Sequence, residues 1–132
     1  MGGEHTVEEG DDRYAPERLD RKADVDAAHF HALDLRVGRV VAAEPFPEAR
    51  KPSLRVRVDF GPVIGELETS AQVTRYDPAT LVGRLVVGAV NLGVRRIAGL
   101  ESAFLLLGGL HPDGAVALLS LEEDLAPGAP VA

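Results

Sequence analysis

Leu54-Arg55-Val56-Arg57-Val58-Asp59-Phe60 alternates apolar and charged side chains without a fault. Successive side chains of a strand face opposite ways, so Leu54, Val56, Val58 and Phe60 are expected on a buried face and Arg55, Arg57 and Asp59 on the other. Upstream, residues 34–41 continue the β pattern with a break in parity. Leu35 and Val37 share one phase, Val40 needs the opposite one, and Gly38 sits at the shift. A glycine at such a break predicts a bulge or sharp bend. Downstream, the Gly61-Pro62 turn leads into a weaker strand over 64–69. In Tyr76-Asp77-Pro78-Ala79-Thr80-Leu81-Val82, Asp77 is a capping residue and Pro78 takes the first helical position. That predicts a short helix ended near Gly83. Apolar runs at 84–92 and 102–107, and a shorter one at 115–119, read as further strands.

Three strands, a helix and two or three strands is the order of a five-stranded OB-fold barrel with its helix between strands 3 and 4. The expected class is all-β. Val25, Ala28, His29 and Ala32 recur at helical spacing, which adds a short N-terminal helix over 24–33 with Asp24 as its cap. Residues 1–23 are polar and charged, too poor in apolar surface to offset their own ordering, and are expected to be a disordered acidic leader. The organisation read from the chain is therefore a leader of 1–23 and one domain of 24–132. Runs 85–90 and 104–107 are apolar on both faces, more than a small barrel consumes, and this predicts a further buried surface, most simply a homodimer.

The chain has 132 residues, 45% of them apolar, and no cysteine. Disulfides and thiolate chemistry are excluded, in keeping with a reducing cytoplasm. The longest apolar run is far short of the ~20 residues of a membrane-spanning helix, and the first residues carry no apolar stretch of a secretory signal, so a cytoplasmic protein without membrane insertion is expected. Net charge is −7. Residues 1–33 hold nine acids and four bases, and residues 34–132 hold twelve acids and ten bases, so the domain itself is only mildly acidic. That balance argues against a strongly basic nucleic-acid binder.

No group of residues has the pattern of an active site. His29 and His31, two apart on a helix, face different sides, no carboxylate cluster completes a metal site, and no cofactor is implied. Ser70, Ser102 and Ser120 lie in no nucleophile elbow, and Gly108-Gly109 lacks the lysine of a phosphate loop. One segment stands out. Residues 91–102, Asn-Leu-Gly-Val-Arg-Arg-Ile-Ala-Gly-Leu-Glu-Ser, join the last two long strands, carry Arg95 and Arg96 side by side, and are bounded by glycines. In OB folds this connection is one of two loops that grip oligonucleotides, and the planar guanidinium fork matches phosphate oxygens. The same segment also reads as a solvated basic turn.

Taken with Leu33-Asp34-Leu35-Arg36-Val37-Gly38-Arg39-Val40, Phe46-Pro47-Glu48-Ala49-Arg50-Lys51-Pro52, Val58-Asp59-Phe60-Gly61 and Ser70-Ala71-Gln72-Val73-Thr74, residues 91–102 and Leu107-Gly108-Gly109 resemble the tRNA-binding domain family, and within it the CsaA-like, export-related chaperone subgroup. The likeness covers residues 33–132. It implies an OB barrel, a homodimer built from the chain ends, and two activities. One is binding of tRNA by shape and backbone, and the other is binding of unfolded or presecretory polypeptides. For RNA, the likeness carries over Asn91, Arg95, Arg96 and Ser102, and strand parity and charge add Arg36, Arg55, Arg57 and Arg75. For polypeptides, the candidates are Leu92, Val94, Ile97 and Leu100. Exposed stacking rings are scarce, which argues against a general single-strand binder and leaves structured RNA as the expected partner. A non-catalytic tRNA-binding module, with the export chaperone as alternative, is the reading the sequence supports.

Overall fold

The computed structural model describes residues 11–132. Its centre is a five-stranded antiparallel sheet that curls into a nearly closed barrel, as expected for an OB fold. Strand β1 (Leu35–Pro45) is long and bent. Its first half pairs with β4 (Leu85–Ala89) and its second half with β2 (Leu54–Asp59), which in turn pairs with β3 (Glu66–Ala71). The register slips between Val40 and Ala42. The bulge read from the parity break therefore lies three residues beyond Gly38. Gly38 serves a different purpose: a Cβ there would sit 2.8 Å from the ring of Phe60, and one on Gly88 2.7 Å from it. Two strands thus lose their side chains where Phe60, fully buried, packs edge-to-face on Phe104 with ring centroids 4.9 Å apart. Leu54, Val56 and Val58 join this core, as the alternation predicted.

Helix α1 (Ala27–His31) is shorter than expected and is capped by Asp26, whose carboxylate accepts from the Ala28 N–H at 3.0 Å; Asp24 lies outside it. No residue of α1 is buried. After β2, Ile64 ends one helical turn, α2 (Gly61–Ile64), so the third strand begins at Glu66 and not at Ile64. Helix α3 (Pro78–Leu81) forms as read, capped by Asp77, and buries Leu81. The apolar run 102–107 is not one strand. It is divided among β6 (Leu100–Ser102), which pairs with β5 (Arg95–Ile97), and β7 (Leu105–Leu106) on the edge of β4. Two short strands, β8 (Gly108–Leu110) and β9 (Val116–Leu118), follow as a hairpin.

The Ala103 N–H donates to the Glu68 carbonyl at 2.9 Å, joining β3 to the segment after β6. Residues 128–131 run along β1, with Gly128 N–H to Val37 O at 2.7 Å and Val131 N–H to Leu35 O at 3.0 Å. Strand β4 is buried along its whole length, so its second apolar face is already consumed within the chain. The exposed apolar side chains lie elsewhere: Val25, Phe30 and Leu33 around α1, and Leu105, Leu110 and Leu119 in the last third. Of the expected leader, residues 1–10 lie outside the described residues. In 11–23, Ala15 is buried, the Tyr14 N–H reaches Pro112 O at 2.9 Å, and Pro16–Arg18 form one 3-10 turn.

Candidate functional site

The β1–β2 connection (46–53) and the β5–β6 hairpin flank one groove of about 600 Å³ that runs past β3. Phe46, Glu48, Leu67, Glu68, Leu100 and Glu101 are among the residues that line it. These two connections are the ligand-gripping loops of OB folds, and the strand 2–3 face lies between them.

The first rim is built on Phe46, which is buried and anchors the loop, while its N–H donates to Ser53 O at 3.0 Å. Between the prolines, Arg50 and Lys51 stand exposed and make no ion pair with any described residue. Strand alternation does not single out these two side chains. The usable signal was adjacent cations at the tip of the connection between the first two strands.

The second rim is a hairpin, not an open loop. Arg95 pairs with Ser102, Arg96 with Glu101 and Ile97 with Leu100 across the ribbon. Ala98 (φ 48°) and Gly99 (φ 84°) form its two-residue turn, both left-handed as a primed turn requires. Alternation then sorts the side chains. Ile97, Leu100 and Ser102 share one face with Arg95, and Arg96 and Glu101 share the opposite, solvent face. The Arg96 Nη2 lies 3.3 Å from Glu101 Oε1, with the two side chains 72% and 65% exposed, so little holds the guanidinium in place.

Several sequence candidates sit differently from expectation. Ser102 is buried, with its hydroxyl 2.7 Å from that of Thr69, and is withdrawn from any surface ligand. Leu100 is buried too, at the wall of the groove; Ile97 is half-buried, while Leu92 and Val94 are exposed. Asn91 is exposed, but its amide is engaged. Its Oδ1 accepts from Asp34 N–H and its Nδ2 donates to Ala32 O, both at 2.8 Å, which pins the chain before β1 to the end of β4. Arg36 bonds Asp34 at 2.6 Å and the Gly128 carbonyl at 3.1 Å, stitching β1 to the C-terminal segment. Arg75 is paired with Asp113, far from the hairpin in sequence.

Arg55 and Arg57 do face outward from β2, as the alternation required, but both are held by Glu68. Arg55 Nε donates to Glu68 Oε2 at 2.9 Å, and Arg57 Nη2 donates to Oε1 at 2.6 Å. The hydrogen bonds from Arg57, and then Arg55, hold the Glu68 carboxyl below the usual carboxylate range against the opposing effect of burial. Asp113 is likewise lowered, chiefly by the Ala115 N–H and also by Arg75.

Among the described residues no cluster of three metal-ligating side chains occurs, and no helix is long and apolar enough to cross a membrane. A family model described as "Putative tRNA binding domain" matches residues 35–130. Similar curated proteins include the methionine–tRNA ligases of Methanocaldococcus jannaschii, 32% identical over 81% of this chain, and of Porphyromonas gingivalis, 35% identical over 82%. The chain spans only 16% of the length of either ligase. Among solved structures, the chaperone CsaA of Bacillus anthracis is 39% identical with a TM-score of 0.76, and the CsaA chaperone protein of Picrophilus torridus is 33% identical with a TM-score of 0.78. Each likeness covers 83% of this chain and 100% of the other.

Proposed function

From the premise that this chain belongs to the tRNA-binding domain family, we propose that it is a non-catalytic module that binds tRNA or similarly folded RNA through the β1–β2 connection and the β5–β6 hairpin, with Arg50, Lys51 and Arg96 as the phosphate-facing cations. The observation that carries the reading is that exposed cations stand on both connections that OB folds use to grip oligonucleotides: Arg50 and Lys51 make no ion pair with any described residue, and Arg96 is held only by an exposed Glu101. Phosphate contact of this kind fits structured RNA recognised by its backbone, and it needs neither exposed rings nor base-edge readout. Asn91 supports the hairpin's base by tying β4 to the N-terminal segment, a positioning role in place of the direct contact expected of it. A cytoplasmic setting is part of the proposal.

A second reading rests on a separate observation. Leu92 and Val94 are exposed beside the hairpin, and Val25, Phe30, Leu33, Leu105, Leu110 and Leu119 add apolar surface. Such surface supports a homodimer that holds unfolded or presecretory polypeptides. One titration separates the two. Affinity for unfractionated tRNA is measured against salt, with and without an unfolded polypeptide competitor. A steep salt dependence that the competitor leaves unchanged supports the RNA module, whereas salt-independent polypeptide binding with no tRNA binding rejects it.

A further inference from the structure

The outward face of β2 and β3 lies between the two rims, where OB folds that take single strands lay them. Its composition here is unusual. Reading across the registers, the face carries Arg39, Ala42, Glu44, Arg55, Arg57, Asp59, Glu66, Glu68 and Ser70. Three arginines against Glu44, Asp59, Glu66 and Glu68 leave it at −1, and none of its side chains is aromatic. Glu68 is the centre of the arrangement. Each of its oxygens takes one guanidinium: Oε2 accepts from Arg55 Nε at 2.9 Å and lies 2.8 Å from Arg55 Nη2, and Oε1 accepts from Arg57 Nε at 3.1 Å and Nη2 at 2.6 Å. The Nε–Nη2 edge of an arginine is the fork that would otherwise grip a phosphate. The forks of Arg55 and Arg57 are thus turned onto a protein carboxylate that is itself only 20% exposed, and Arg39, at the end of the face, donates to the Gly83 carbonyl and to Asp124.

We propose that Glu68 sets which RNA the chain takes: by occupying the phosphate-gripping edges of Arg55 and Arg57 it closes the β2–β3 face to an extended single strand and leaves only the two rims, which suit the separated phosphates of a folded RNA. This deepens the RNA reading and rests on it. A single strand needs a continuous track of cations and stacking rings, and the face supplies neither. A folded RNA needs a few phosphate contacts held apart at fixed spacing, and the rims supply those.

The test measures the affinity of the full chain for unfractionated tRNA and for a fluorescent oligouridylate across a salt series. The wild type is expected to bind oligouridylate at least about tenfold more weakly than tRNA. Glu68→Gln is expected to tighten oligouridylate by about tenfold, leave tRNA within about twofold, and steepen the oligouridylate salt slope by about 1.4, at about 0.7 for each of two phosphates newly gripped. Glu68→Asp keeps the charge and should exclude oligouridylate as the wild type does. Equal binding of the two RNAs by the wild type overturns the proposal, and so does a Glu68→Gln variant that gains nothing. Should Glu68→Gln fail to fold, Glu44→Gln with Glu66→Gln, both at exposed positions, brings the face from −1 to +1 and must by itself raise oligouridylate affinity; no gain again overturns it. If the wild type binds neither RNA, the RNA reading fails, while gain or no gain by Glu68→Gln still decides whether this carboxylate is the barrier.

Discussion

Truncating Arg96 isolates the second rim, because the strand alternation places this side chain on the solvent face of the hairpin, away from Ile97 and Leu100. It pairs with Glu101 at 3.3 Å, and both side chains are mostly exposed. Such a pair contributes no more than about 1 kcal/mol, so the guanidinium leaves Glu101 for a phosphate at little cost. One charge-assisted contact at the low end of its range is about 1.4 kcal/mol, a tenfold change in affinity. Arg96→Ala should therefore weaken tRNA binding about tenfold near 50 mM salt and lower the salt slope by about 0.9, the value for one phosphate on a duplex. That slope change makes the deficit shrink to about threefold near 200 mM, since a fourfold rise in salt scales by about 3.5. Glu101→Gln should do the reverse, tightening binding by up to about fivefold, and only while Arg96 is present. Fluorescence anisotropy with labelled tRNA on the four members of the double-mutant cycle measures all of this, and the coupling between the two sites is the direct readout. If Arg96→Ala kept both the affinity and the slope of the wild type, phosphate contact by this hairpin face would be refuted. An equal gain from Glu101→Gln in both backgrounds would assign the effect to overall charge and not to the pair.

Three further outcomes follow from the same geometry. Gly88→Ala would place a methyl 2.7 Å from the Phe60 ring and 3.0 Å from Phe104, two buried side chains with no room to retreat, so it should cost about 1–3 kcal/mol and lower the melting midpoint by about 4 °C per kcal/mol; an unchanged midpoint in a thermal melt would show that the core gives way. Asn91→Ala removes two hydrogen bonds and should expose the segment before β1 to limited proteolysis while leaving the salt slope for tRNA unaltered; a slope reduced by about 0.9 would instead mark Asn91 as a direct contact. Because the folded-state pKa of Glu68 is lowered, its contribution to stability is present above the ordinary glutamate range and is lost as pH falls through that range and on through the lowered value; denaturation in a pH series should show this loss in the wild type and not in Glu68→Gln, and parallel curves would contradict it.

The barrel was legible because its strands announce themselves through side-chain alternation and its helix through a capping pair. Leu54 to Phe60 and Asp77-Pro78 are local signals, and the structure places both as read. What was not legible depended on contacts distant in sequence. Gly38 carried the parity break in the sequence, yet the bulge lies between Val40 and Ala42, because Gly38 is needed where the Phe60 ring crosses β1. The run 102–107 looks like one strand from its hydrophobicity, but Ala103 turns to bond Glu68 across the barrel and divides it. The double-sided apolarity of β4 was real. It is satisfied inside the chain, and the exposed apolar side chains, such as Val25, Val63, Val94 and Leu105, lie on other segments.

The functional residues were harder to read for an electrostatic reason. Twelve arginines against two lysines look like a generous supply of phosphate ligands. Of the nine in residues 34–132, five are spent within the chain: Arg36 on Asp34, Arg39 on Asp124, Arg55 and Arg57 on Glu68, and Arg75 on Asp113. Each of these carboxylates is invisible to a count of cations, and only Asp34 lies close to its partner in sequence. Net charge hides the same fact from the other side. A domain at −2 looks unsuited to RNA, yet the sum averages an acidic β2–β3 face with a rim where Arg50 and Lys51 stand without ion pairs among the described residues. Exposed charges more than about 10 Å apart are screened from one another at ordinary ionic strength, so a ligand meets local groups and not the total. For this fold the decisive quantity is which guanidiniums lack a protein carboxylate, and that follows from register: Arg57 faces Glu68 across β2 and β3, whereas Arg50 and Lys51, on the 46–53 connection, have no cross-strand partner among the described residues.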